Sequence, residues 1–221
     1  RGEPIGNCRF SDITVFSFHP VKIITTCEGG MAMTNDPALA DRMVRNRSHG
    51  ITGDSSKMQP RPANEIWNYQ QIGLGFNYRM TDIQAVLGVS QMARLDEFVT
   101  KRQCIARRYD VALAGLPLVS PWQHPDSFSS YHLYPIRLNL VEDKHKQRKV
   151  YDGLHSDGIL VNLHYIPVYR HPYYEAMGFK EGYCPEAEQY YREAISIPMF
   201  PAMSASQEER VVGCIRKILS V

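Results

Sequence analysis

Residues 13–18 (ITVFSF) are almost continuously β-branched or aromatic and stop at His19-Pro20, which predicts a buried strand. Two shorter runs, 23–26 and 31–34, flank Cys27-Glu28-Gly29-Gly30 and predict a hairpin around the Gly-Gly turn. Asn35-Asp36-Pro37 then offers a cap followed by proline at the first helical position, so a helix is expected through about Asn46. Residues 50–77 are rich in Gly, Pro, Asn and Gln without a steady period and read as a long loop of the kind that is functional or disordered. Thr81-Asp82-Ile83-Gln84 fits a capping box and opens one helix running to about Ala114, where Gly115-Leu116-Pro117 ends it. Its first half (Ile83, Ala85, Val86, Leu87, Val89, Met92) is apolar on most faces and is expected to be buried. Its second half, with Lys101, Arg102, Arg107 and Arg108, is expected to be solvated on one side. Further on, 131–140 alternates like a strand, 144–156 is helical and closed by Asp157-Gly158, and 159–165 is another strand. A polar helix is expected over 185–193, and an amphipathic one over 206–219 with Val211, Val212, Ile215, Ile218 and Leu219 on one face. The order of elements gives α/β followed by α+β.

Composition narrows this picture rather than changing it. The 221 residues are 43% hydrophobic and 22% charged, ordinary for a globular chain able to bury a core. Lys plus Arg is 25 and Asp plus Glu 23, a net charge of +2, so charge gives no reason to propose nucleic acid or an anionic membrane as partner. There is no apolar run of about 18 residues to make a transmembrane helix. Five scattered cysteines without a CxxC pair fit reduced thiols in a cytoplasmic protein better than disulfides or a zinc site. His164 and His171 have no metal-binding spacing, and no metal is proposed. The opening RGEPIGNCRFSD has neither Met nor a signal-peptide pattern and reads as the middle of a longer protein.

The sharpest chemical feature is Lys22, just past the end of the first strand. A lysine there either snorkels to solvent or is held partly desolvated, which lowers its pKa and makes its amine a nucleophile toward carbonyl compounds. Ser17 stands five residues earlier with a hydroxyl able to bind a phosphate oxygen. The sequences FSFHPVKIITTCEGGMAMTND and IGLGFNYRMTDIQAVLGVSQMARLD, followed by HYIPVYRHPYY and ISIPMFPAMS, resemble the sugar-nucleotide aminotransferases of the pyridoxal-phosphate fold type I class, the DegT/DnrJ group. Within the group, RGEPIGNCRFSDITVFSFHPVKIITT is most similar to members that aminate C4 of a UDP-linked 4-keto-6-deoxy-N-acetyl sugar.

This resemblance implies an α/β fold class: part of an aspartate aminotransferase-like large domain over 1–100, with the linking helix begun, then an α+β small domain over 101–221. It implies pyridoxal 5′-phosphate as cofactor, a sugar nucleotide and an amino-acid donor (L-glutamate) as substrates, and a homodimer sharing its active sites. Lys22 would bind the cofactor as a Schiff base and then move the proton, Ser17 would hold its phosphate, and Asn77 would reach the cofactor of the other subunit. Tyr78, Arg79, His164 and Tyr165 would contact the sugar nucleotide, the arginine through its planar fork of donors. Lys22 separates the chain from the dehydratases of the group, which hold histidine there. Cys27 stands where a small residue, often Gly, is expected. The group's Gly-Thr phosphate turn, ring-stacking aromatic and ring-nitrogen-pairing Asp would precede Arg1, and without them sheet edges would be exposed. Two rival readings are a silent fragment acting as an interaction module and a lysine-dependent aldolase or decarboxylase. An aminotransferase for a dTDP- or GDP-linked sugar is a third.

Overall fold

The computed structural model describes residues 2–62, 64–66, 68–139 and 146–219. The chain divides into two compact units, Arg1–Leu95 and Asp96–Val221.

In the first unit, β1 (Thr14–Ser17) pairs antiparallel with β2 (Gly30–Met33), Thr14 opposite Met33 and Ser17 opposite Gly30. The partner of 31–34 is therefore the first strand and not 23–26, which corrects the expected hairpin. The reason lies at the end of β1. Pro20 has no N–H to continue a ladder, and the Phe18 carbonyl accepts both Thr26 N–H and Thr25 Oγ1–H, folding 19–25 out as a closed loop. Helix α1 (Pro37–Arg47) starts as expected, with Asp36 Oδ1 accepting from Ala38 and Leu39 N–H at 2.7 and 3.3 Å. The 50–77 segment folds back on itself. β3 (Ile51–Thr52) pairs with β4 (Gln70–Gln71), and Gln70 extends that pairing through two side-chain bonds to the Gln59 backbone.

Helix α2 (Asp82–Met92) carries the complete capping box at Thr81 and Gln84. It stops at Ala93, so the long helix expected over 81–114 is two helices, the second being α3 (Leu95–Ala112). Arg94 N–H bonds back to Gln91 in a tightened last turn, and Asp96 and Glu97 then supply the negative charge that a new helix N-terminus favours. The expected burial of the first half is also corrected: Ile83 is 85% and Val89 73% exposed. Gln84, Leu87, Gly88 and Gln91 face inward instead, and among the described residues no apolar layer covers the opposite face.

The second unit holds the core. Strands β5 (Leu118–Val119), β6 (Tyr134–Leu138) and β7 (Ala194–Ile197) form an antiparallel sheet in that order. With it go α3, α4 (Lys146–Ser156), the short α5 (Pro172–Glu175), α6 (Pro185–Glu193) and α7 (Ala205–Leu219). β6 alternates buried and half-buried positions as its sequence requires, and Ile105, Tyr109, Leu154 and Ile215 pack in the same cluster as Tyr134, Ile136 and Ile195. Residues 140–145, which include parts of the expected strand and helix, lie outside the described residues. The expected strand over 159–165 reduces to one bridge, Asn162 with Ser196. Pro198 offers no N–H on one side of that bridge, and on the other the Ala194 N–H is taken by Tyr190 of α6. No described helix is long and apolar enough to cross a membrane.

Candidate active site

Ser17 and Lys22 stand on the two arms of one turn. Ser17 ends β1, is exposed, and accepts the His19 N–H at 3.4 Å, so its own hydroxyl hydrogen is left for an outside acceptor. Lys22 N–H donates to the His19 carbonyl at 2.9 Å, tightening the loop tip, while Thr26 N–H closes the base on Phe18 at 3.0 Å. The Lys22 side chain is half-buried and has no hydrogen-bond or ion-pair partner among the described residues. A reachable amine and a free hydroxyl donor on one turn are the groups a carbonyl-bearing phosphate ester would need, so this part of the site fits pyridoxal phosphate. His19 lies 3.7 Å from the Glu28 carboxylate across the same loop. Cys27 is exposed with φ of +66°, the left-handed region that explains why a glycine was expected there.

Asn77, Tyr78 and Arg79 lie on an exposed segment along the C-terminal end of α1. Phe76 N–H donates to the Asn46 carbonyl and Tyr78 N–H to that of Arg47, so the segment satisfies carbonyls that a helix end leaves open. The approach is close because Gly75 lacks a Cβ, which would stand 2.6 Å from the His49 carbonyl carbon. Tyr78 stacks on Phe76 at 4.7 Å with the rings nearly parallel. The Asn77 and Arg79 side chains have no partner among the described residues. Neither they nor Tyr78 bonds to Ser17 or Lys22 within this chain.

In the second unit, His164 follows the Asn162 bridge and its Nδ1 lies 2.8 Å from Ser196 Oγ. The His164–Tyr165 peptide is cis, and the two rings meet edge to face at 4.6 Å with Tyr165 exposed. Just beyond, Pro167, Arg170, Glu188 and Arg192 help line a cleft of about 170 Å³. Glu188 accepts from Tyr169 Oη at 2.6 Å and Gly182 N–H at 2.7 Å, which hold its carboxyl below the usual range. The pattern reads 185–193 as a polar helix, and Glu188 escapes notice because the groups that donate to it lie in a different segment. Gln84 is likewise legible as a cap but not as the donor that reaches Glu28.

Comparison with known proteins places this geometry in context. The chain is 33% identical over 220 residues to the UDP-4-amino-4,6-dideoxy-N-acetyl-beta-L-altrosamine transaminase of Campylobacter jejuni, covering 99% of this chain and 55% of the relative. It superposes on the Helicobacter pylori aminotransferase PseC, involved in pseudoaminic acid biosynthesis, with a TM-score of 0.81 at 30% identity, over 96% of this chain and 54% of that one. A candidate sugar aminotransferase of Streptococcus pneumoniae in its PMP form gives a TM-score of 0.87 at 28% identity, over 99% of this chain and 55% of that one, and it is also known in a PLP form. The chain thus spans about half the length of the relatives it matches, and its fold is part of theirs. The profile of one family covers residues 1–216, and the chain belongs to it: the DegT/DnrJ/EryC1/StrS aminotransferase family.

Proposed function

We propose that this chain is the lysine-bearing part of a pyridoxal-phosphate aminotransferase that places an amino group on C4 of a UDP-linked 4-keto-6-deoxy-N-acetylhexose, in pseudaminic acid-type surface-sugar synthesis. The observation that carries the reading is the amine of half-buried Lys22, which has no partner among the described residues, on a loop closed at its base. The names of the matched relatives support the substrate class.

Bound pyridoxal phosphate supplies an electron sink for the charge left when a carbon beside nitrogen loses its proton. Lys22 would hold the cofactor through its Nζ, and the same amine would take and return that proton. Ser17 donates its hydroxyl to the phosphate. Asn77, exposed on its segment, serves the site of a second copy of the chain, and Tyr78 and Arg79 line the same edge. His164 and Tyr165 bind the sugar nucleotide. L-Glutamate is the amino donor, and the free thiols fit a cytoplasmic setting.

Adding pyridoxal phosphate to the purified chain should raise a new visible absorption band, and borohydride should fix the cofactor's mass on the Lys22 peptide. Lys22→Ala should abolish both. A parent chain with no band would overturn cofactor binding by this chain alone, and preferential amination of dTDP-linked keto sugars would overturn the UDP assignment.

A further inference from the structure

The loop that carries Lys22 is fastened to helix α2 by contacts that neither the cap nor the sheet requires. Gln84 uses its side-chain oxygen for the capping box, accepting Thr81 N–H at 3.0 Å. Its Nε2 turns the other way and donates to the Glu28 carbonyl at 3.0 Å. That carbonyl also accepts Thr26 Oγ1–H at 2.9 Å, so its two lone pairs are satisfied from opposite sides, by the loop and by the helix. Thr26 is buried, and its N–H is the bond that closes the Lys22 loop on Phe18. Its methyl group rests against Gly88, one helical turn beyond Gln84, where a Cβ would stand 2.8 Å from Thr26 Cγ2. A β-branched, buried threonine has little room to give way.

We infer that Gln84, Gly88 and Thr26 are positioning residues, which together fix the base of the Lys22 loop relative to α2. Their role in the reaction rests on the aminotransferase reading; the clip itself does not. The hydrogen bond from Gln84 and the close approach at Gly88 are independent contacts on the same base of the same loop, so each can be broken without the other.

Gln84→Glu separates the two tasks of this side chain. Glutamate preserves the acceptor that caps α2 but has no N–H for Glu28. Losing one neutral hydrogen bond should speed amide hydrogen exchange at Lys22 and Thr26 by about five-fold and weaken pyridoxal phosphate binding by a similar factor. Protection at Ala85, whose N–H bonds to the Thr81 carbonyl, should be unchanged. Gly88→Ala should produce the same loosening by pushing Thr26, and adding Thr26→Ser, which removes the methyl but keeps the hydroxyl, should reverse it. A generally destabilised α2 would not be rescued in this way.

Unchanged exchange over 18–29 in Gln84→Glu would overturn the clip, as would a Gly88→Ala/Thr26→Ser protein no tighter than Gly88→Ala. If the parent chain shows no visible band with the cofactor, the aminotransferase reading of the isolated chain fails while the exchange data still decide the clip.

Discussion

Arg102 shows how far a residue's place can depart from its local pattern. Periodicity puts it with Arg107 and Arg108 on the solvated side of the helix, yet it is 5% exposed. One guanidinium nitrogen donates to the carbonyls of Tyr131, His132 and Met199 at 3.0–3.1 Å, tying together segments distant in sequence. Burial pushes its pKa down, but an arginine remains charged, so it acts as a fixed clamp. Arg102→Met should therefore cost on the order of 3 kcal/mol in urea unfolding of the second unit, because it strands buried acceptors. A loss under about 0.5 kcal/mol would place the clamp among neutral surface contacts. No local signal marks such a residue: its acceptors are backbone atoms some thirty to a hundred positions away. The place of Lys22 just past a strand end was legible for the opposite reason, since it is set by the adjacent residues that end that strand.

Among elements, those defined by their ends were readable. Asp36 and Thr81 cap α1 and α2 where the sequence places them, because a cap is a contact across three or four residues. The apolar face of α7 was readable too, with Val211, Val212, Ile215 and Leu219 buried as expected. The strand partner of 31–34 and the face of α2 were not, since both depend on what arrives from elsewhere, and 23–26 had the composition of a strand but not the neighbour. Helix α6 gives an element-scale test of a hidden contact. Its Glu188 is buried, with Tyr169 and Gly182 donating to it and Arg170 and Arg192 nearby. A carboxyl lowered from its ordinary 4.5 contributes stability that is present above that pH and lost as pH falls through the lower folded value. The stability advantage of the parent over Glu188→Gln should therefore be constant near neutrality and shrink below pH 4.5. Thermal unfolding across that range checks it, and an advantage that persists at the lowest pH would show that the ionised form is not what the loop holds.

On the scale of the whole molecule, apolar burial is unevenly shared. Among the described residues every buried hydrophobic side chain lies between Phe98 and Leu219, whereas Ile83, Val86 and Val89 stand in solvent. Burial is the main source of folding free energy, so the two units should differ in resistance to opening. Limited proteolysis should cut first within 1–95 and leave a protected product beginning near Asp96; simultaneous loss of both units would contradict this. Neither the sequence nor its period could reveal that imbalance, because an apolar helix face reads the same whether covered or bare. The Lys22 loop has a further consequence. Its ties run through the backbone of Phe18, His19, Thr26 and Gly29 and the Thr25 hydroxyl, and the one at Lys22 uses an N–H that any residue but proline would supply. The Lys22 side chain thus takes no part in the hydrogen bonds that hold the turn. Replacing it would leave the strand register undisturbed, which makes this turn a place where the side chain on offer can change without a new fold.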